Sequence, residues 1–332
     1  MRATVKRRAG ITVLGRLPIV GVLACVGASA PTHGLMRTAP SAAVVPYAIA
    51  FWDSQHGLLG TGTCPGATGG ACREGTIEFT SNGGRSFRVV LRTHHPVIGL
   101  STTGPRGAIA QSDGGGSFRT LDGGRTWRPF RLRYEASFVT PRIGLGFRNY
   151  MTHDHLALEL LSTSDGGRTW RRRASPCTQG IADTALIDLV TPSLGWIVCL
   201  GQPSAGNQAK AVFRTTDGGR TWRVGAAVVA WPHRNVHGGI EGYGYPQGVA
   251  FAADGFGILW ESRGTLYATR DGGTKWLAKP KVAQPEIDFG RGAVAFPDGR
   301  GLVLLGRGGG LPARLLGTDD AGHTWRLVRR WS

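Results

Sequence analysis

Thr215-Thr216-Asp217-Gly218-Gly219-Arg220-Thr221-Trp222 is the stretch that decides the fold. An aspartate in such a setting accepts hydrogen bonds from backbone amides just downstream and closes an Asx-type turn. The paired glycines take backbone angles that a Cβ opposes. The flanking Thr and Trp favour strands, and the indole can pack into a sheet. The octet therefore fastens a hairpin. It recurs as TSNGGRSF (80–87), TLDGGRTW (120–127), TSDGGRTW (163–170), TRDGGTKW (269–276) and TDDAGHTW (318–325). The third residues are Asn82, Asp122, Asp165, Asp217, Asp271 and Asp320, and the eighth are Phe87, Trp127, Trp170, Trp222, Trp276 and Trp325. Successive octets begin 40, 43, 52, 54 and 49 residues apart, and each interval suits one four-stranded blade with variable loops.

The segments between octets share one form. Residues 48–60, 96–111, 136–147, 187–201, 248–260 and 292–306 each read as an apolar strand, a polar Gly- or Pro-containing turn and a second apolar strand. A third strand runs into the octet, as in Ala211-Val212-Phe213-Arg214, and a fourth leaves it. Short strands at regular spacing favour a closed all-β array. The 53 glycines, with no collagen-like period, fit many tight turns. Six octets imply six antiparallel blades of roughly 48 residues. Only residues 226–247 are spare, too few for a seventh. The expectation is an all-β, six-bladed β-propeller.

These octets resemble the BNR, or Asp-box, repeat family, which includes sialidases, sortilin-type propellers and photosystem II assembly and stability factors. The resemblance covers nearly the whole chain after its first 45 residues. With the strand Leu194–Gly201 between octets, it is nearest the assembly-factor type. Asn82, Phe87, Lys275 and Ala321 depart mildly from the pattern. What the resemblance implies is a propeller that either binds a partner or hydrolyses a glycoside.

Residues 1–30 read as a signal peptide. Arg2, Lys6, Arg7, Arg8 and Arg16 precede an apolar run from Leu17 to Val26, and Ala28-Ser29-Ala30 supplies small residues for cleavage. Val22-Leu23-Ala24-Cys25 also resembles a lipoprotein signal, with Cys25 as the lipid carrier. Residues 31–45 read as a short linker and 46–332 as the single propeller domain. Four cysteines remain outside the signal, an even number suited to two disulfides in an oxidising compartment. Proximity pairs Cys64 with Cys72 and Cys177 with Cys199. No CxxC spacing supports a metal site, and no cofactor is expected. The formal charge is +18, five of it in the first 16 residues, leaving +13. Arginines recur at fixed octet positions, including Arg85, Arg125, Arg168 and Arg220. That reads as a solvated rim and not as a nucleic-acid groove. The Arg-rich, Lys-poor usage fits a high-GC bacterial genome. A monomer is expected, secreted or extracytoplasmic, with a lipid anchor as its one route to the membrane.

Antiparallel blades place the octet turns and the first-to-second strand turns on one face. The second-to-third turns and the links between blades share the other. That link face carries His94 and His95 between blades 1 and 2, and Arg133, Tyr134 and Glu135 between blades 2 and 3. It also carries Tyr150, His153, Asp154 and His155 inside blade 3, and His233, His237, Glu241, Tyr243 and Tyr245 between blades 4 and 5. Glu261 and Arg263 follow in blade 5. Six of the nine histidines fall in three of these loops. Such residues pack loops, make aromatic and anion contacts with a ligand, or, as His153-Asp154-His155, offer metal ligands. The expected ligand-binding set is His94, His95, Tyr150, His153, His155, His233, His237, Glu241, Tyr243 and Tyr245. Sialidases add an early Arg-Ile-Pro, an arginine triad that forks onto the substrate carboxylate, and a Tyr–Glu nucleophile pair. Here the nearest string is Arg142-Ile143-Gly144, on the octet side of blade 3, and no P-loop, GxSxG or HExxH occurs. No catalytic residue is assigned. The function expected is a non-enzymatic scaffold for a protein or glycan partner, with an exo-sialidase-type glycoside hydrolase as the alternative.

Overall fold

The computed structural model describes residues 42–66, 72–154, 156–228, 236–262, 265–279, 288–307 and 310–332. The signal segment, His155, His233 and Arg263 lie outside them. Among the described residues there is no helix, and hence none long and apolar enough to cross a membrane. Among the described residues, twenty-five strands form six antiparallel sheets. Blade 1 holds β1 (Ala42–Phe51), β2 (Gly57–Pro65), β3 (Glu74–Thr80) and β4 (Arg88–Thr93). Blade 2 holds β5 (Val97–Thr102), β6 (Ala108–Ser112), β7 (Ser117–Thr120) and β8 (Arg128–Pro129). Blade 3 holds β9 (Glu135–Phe138), β10 (Gly144–Met151), β11 (Leu156–Thr163) and β12 (Arg171–Arg173). Blade 4 holds β13 (Thr184–Leu189), β14 (Gly195–Leu200), β15 (Lys210–Thr215) and β16 (Arg223–Val228), with a short fifth strand, β17 (Val236–His237). Blade 5 holds β18 (Tyr245–Phe251), β19 (Gly257–Ser262), β20 (Leu266–Thr269) and β21 (Leu277–Ala278). Blade 6 holds β22 (Asp288–Ala295), β23 (Gly301–Arg307), β24 (Gly310–Thr318) and β25 (Arg326–Trp331).

Each blade is built from four consecutive strands, with β17 added in blade 4, so among the described residues no strand is lent across the closure. The first strand begins at Ala42, which takes residues 42–45 out of the expected linker and into blade 1. Their pairing with Thr63, Gly62 and their neighbours on β2 explains this, because it satisfies the backbone of both strands.

All six octets fold into one turn. The first Thr Oγ1 donates to the third residue's Oδ1, at 2.8 Å for Asp217, and accepts the fifth residue's amide, at 2.9 Å for Gly219. The Asp carboxylate then takes the amide of residue seven, at 2.9 Å for Thr221, and usually its hydroxyl. Asn82 in octet 1 accepts the same amide, from Ser86 at 2.9 Å. The amide of residue four reaches out of the turn to a carbonyl of the first-to-second strand turn of its own blade. The pairs are Gly83–Gln55, Gly123–Arg106, Gly166–Arg142, Gly218–Ser193, Gly272–Gly255 and Ala321–Gly299, at 2.7–3.0 Å. Both kinds of turn therefore share one end of the ring, the octet face. Gly219 sits at φ +82°, and a Cβ there would meet the Leu145 side chain of blade 3 at 3.2 Å. Position five thus needs glycine both for its backbone angle and for the seam it closes.

The core lies between blades. Along β14 every residue is buried, and the pleat divides them. Ile197 and Cys199 pack toward blade 3 with Phe147 and Leu160, while Trp196, Val198 and Leu200 pack toward blade 5 with Phe251 and Leu259. Trp196 stacks on Phe251 with ring centroids 4.0 Å apart, and its Nε1 donates to Gly272 O at 2.8 Å. The octet aromatics are less uniform than the sequence implied. Trp276 is 3% exposed, whereas Phe87, Trp127, Trp170, Trp222 and Trp325 are half-buried. The ring closes through Arg291, which donates to Pro46 O, and through Arg329, whose Nη1 reaches Arg85 O at 2.9 Å. Disulfides join Cys64 to Cys72 and Cys177 to Cys199.

Candidate functional site

The innermost strands β1, β5, β9, β13, β18 and β22 surround a central channel of about 730 Å³. Its lining mixes exposed polar groups with apolar side chains, Ile49, Leu100, Phe138, Ile187 and Val249 among them. Two ionisable side chains enter this lining, Asp188 on β13 and Arg291 on β22. Asp188 Oδ2 accepts the Phe251 amide of blade 5 at 2.6 Å. Protein surrounds the carboxyl, although its surface reaches the channel space, and burial pushes it up to about 7 against the pull of that hydrogen bond. Arg291 is a strut. Besides Pro46 O it reaches Gly310 O at 2.9 Å, and its guanidinium lies 5.1 Å from the Tyr47 ring centre. Burial pulls Arg291 below the ordinary arginine range and raises the Tyr47 phenol. Toward the link face a second hollow of about 370 Å³ shares Gln247 with the channel and adds Gln111 and Glu135.

The link-face residues singled out from the sequence do not form one cluster. His94 and His95 are exposed between blades 1 and 2, diametrically opposite the link between blades 4 and 5 in a six-membered ring. The His95 carbonyl accepts Thr93 Oγ1 at 2.7 Å, and its ring lies against Gly114. In blade 3, Tyr150 and Met151 end β10 at 49% and 70% exposure, with His153 and Asp154 exposed in the turn beyond. Asn149 Nδ2 donates to Asp183 O, which ties this hairpin to the start of blade 4. His237 is exposed on β17, and Glu241 and Tyr243 are exposed after it. Tyr245 is held, its hydroxyl accepting the Gly206 amide at 2.7 Å. Among the described residues, no group of three His, Cys, Asp or Glu side chains could hold a metal ion.

Glu261 corrects the sequence reading. It is not a loop-face residue but half of an ion pair whose two side chains are fully buried, with Lys210 Nζ 2.5 Å from Glu261 Oε1. The same ammonium donates to Tyr243 O at 3.2 Å and Gly244 O at 3.1 Å, so its three protons are all used. Burial pulls Lys210 down and pushes Glu261 up, each opposed by the partner's charge. Above it, Gly244 N donates to Gly206 O and Gln208 N to Gly242 O, both at 2.8 Å. The link from blade 4 to blade 5 is thereby locked from beneath, with Tyr243 on top at 45% exposure. The missed residues had faint signals. Lys210 is one of five lysines in an arginine-rich chain, and Asp188 is a lone acid in the apolar run Ala185–Val190.

No protein-family model matches the chain, and no curated protein matches it. Solved propeller structures do. YCF48 bound to a D1 peptide is 17% identical, over 86% of this chain and 83% of that one, with a TM-score of 0.45. A Dyadobacter fermentans protein of unknown function is 13% identical over 84% and 94%, with a TM-score of 0.49. An Aleuria aurantia lectin in complex with Fucalpha1-6GlcNAc is 11% identical over 88% and 96%, with a TM-score of 0.53. At these identities the likeness is one of fold.

Proposed function

We propose that this chain is an exported, non-enzymatic β-propeller of the BNR (Asp-box) type that presents its link face to a protein or glycan partner. The observation that carries this reading is the fixed display of exposed aromatic and apolar side chains on that face. Tyr243 stands on a loop locked by Lys210 and Glu261, and Tyr150 and Met151 end a strand tied to blade 4. Aromatic rings on a rigid support lose little entropy on binding and carry much of the energy of recognition surfaces. The two disulfides suit an oxidising compartment, and a monomer exported by residues 1–30 fits them. Screening the folded protein against glycan and peptide arrays tests the reading. Binding that falls on Tyr150→Ala or Tyr243→Ala, with the unfolding midpoint unchanged, supports it. Binding indifferent to both substitutions defeats it.

Asp188 favours a second reading, an exo-sialidase-type glycoside hydrolase. A carboxyl raised toward neutrality in a channel has the protonation behaviour of a general acid. Against it, hydrolysis needs a second converging carboxyl, and Arg291 already commits both of its terminal nitrogens to Pro46 and Gly310. Turnover of a sialoside that disappears in Asp188→Asn would make this reading the better one.

A further inference from the structure

Six seams join the blades, and the clefts between the outer strand of one blade and the octet turn of the next differ in what fills them. At the seam of blades 4 and 5, β17 pairs with β16, and Gly238 O accepts the Trp276 amide at 2.7 Å. At the closing seam, Arg329 lies 5.7 Å from the Phe87 ring centre and 5.2 Å from that of Trp331. Both of these clefts are filled by the chain itself.

The outer clefts on either side of blade 3 are not filled in this way, and arginine lines them. Between blades 2 and 3 a cleft of about 450 Å³ is bounded by Phe130, Arg131, Arg133, Gly166, Gly167 and Arg168. Arg131, Arg133 and Arg168 are exposed, and among the described residues none of them pairs with a carboxylate. Behind them Arg119 lies over Phe130, 4.9 Å from the ring centre, and donates to Pro141 O. Its Nε is buried and has no partner among the described residues. The equivalent cleft between blades 3 and 4, about 200 Å³, presents Arg171, Arg173 and Arg220. Its one acid, Asp217, is engaged by Thr215, Arg220 and Thr221 inside its own turn. The octet-face hollow between blades 5 and 6 has the opposite character, with Asp254, Asp298 and Asp320 around Arg270. The two clefts beside blade 3 thus present arginine where the hollow between blades 5 and 6 presents carboxylates.

We propose that the two arginine-lined clefts flanking blade 3 form a binding track for a linear acidic polysaccharide bearing carboxylate or sulfate groups. Arginine forks match both oxyanions in bidentate geometry. Two like clefts one blade apart suit a polymer with repeating charge, which gains by engaging both at once. A nucleic acid fits less well, because single strands need free aromatic faces for stacking. Phe130 is covered by Arg119, and Trp170 is closed in by Tyr134 and Phe138 at 5.3 and 6.0 Å. The track shares no residue with Tyr150, Met151 or Tyr243, although Arg133 belongs to the link between blades 2 and 3, so it stands or falls separately from the recognition surface proposed above.

The test uses the folded chain with polygalacturonate, dextran sulfate, neutral dextran, and single-stranded and duplex DNA as probes, titrated at roughly 50 and 300 mM salt. Expected are binding of the acidic polysaccharides, none of neutral dextran, and a fall of at least about tenfold in affinity at the higher salt. R131Q/R133Q/R168Q and R171Q/R173Q/R220Q should each weaken binding by about tenfold or more. The charge-matched control R92Q/R106Q/R223Q, which alters exposed arginines elsewhere, should weaken it by less than about threefold. All nine side chains lie at or near the surface, and an unchanged thermal midpoint confirms the fold of each variant. Losses in the control equal to those in the cleft variants would overturn the proposal, as would tighter binding of DNA than of either acidic polysaccharide. Absence of binding at the lower salt would overturn it too.

Discussion

Replacing Lys210 by Met leaves Glu261 buried with no cation beside it, and the loss can be worked from the structure. In the variant the folded state keeps Glu261 protonated, because an isolated carboxylate is strongly disfavoured there. The unfolded chain releases that proton above its ordinary value of about 4.3. The folded form then binds more protons than the unfolded one, so stability falls as pH rises between that value and the raised folded value. Against a wild-type pair taken as charged at both pH values, at about 1.4 kcal/mol per pH unit this costs about 3–4 kcal/mol at pH 7 but only about 1 kcal/mol at pH 5. The carbonyls of Tyr243 and Gly244 also lose their donor. That adds about 1–2 kcal/mol at either pH. The total is about 5 kcal/mol at pH 7 and about 2–3 kcal/mol at pH 5. Urea unfolding at both pH values, with the slope m unchanged, reads it directly. Replacing both partners by Met should recover most of the loss, because two apolar side chains leave no buried charge. A loss equal at both pH values, or below about 1 kcal/mol at pH 7, would refute the assignment of a charged, fully buried pair.

The octet aromatics should separate by burial. Trp276→Ala is expected to cost about 3–5 kcal/mol, and Trp222→Ala less, because its ring is half-buried and its Nε1 has no partner among the described residues. Equal losses in urea unfolding would contradict the difference in packing. The octet aspartates give an acid limit. Hydrogen bonds from Thr126 and Thr169, hydroxyl and amide, hold Asp122 and Asp165 at about 2. Their contribution is complete above the ordinary aspartate value and lost as pH falls through about 2, so the thermal midpoint should drop between roughly pH 4 and 2. Asp188→Asn should stabilise the protein more at pH 8 than at pH 5, because the raised native carboxyl favours the protonated form that an amide mimics. A pH-independent change in the urea midpoint would count against its burial. Replacing Cys177 and Cys199 by Ser opens a link of 22 residues and should cost about 3 kcal/mol, read as a fall in unfolding midpoint.

The channel and the link face were legible to different degrees. That the octet turns would share one end of the ring followed from strand direction alone, and the six bonds from residue four show why the two kinds of turn travel together. The histidines were legible only as a cluster in sequence. His94 and His95 belong to one seam and His237 to the opposite one, because ring closure separates links that composition makes look alike. Glu261 read as a loop residue since it follows the apolar run Gly257–Trp260 and stands two residues before Arg263, yet its side chain turns inward to meet Lys210.

What the sequence determined by itself was the repeat: six hairpins of one kind, their spacing and the four-strand unit built on each. Each of these rests on contacts a few residues apart, where backbone geometry leaves few choices. The tertiary structure decided which charges meet. Lys210 and Glu261 are 51 residues apart, Asp188 and Phe251 are 63, and Arg329 and Arg85 are 244. Such pairs depend on how a closed ring turns each blade toward the next and on what loops of unequal length place over each seam. No local period in the chain carries that information.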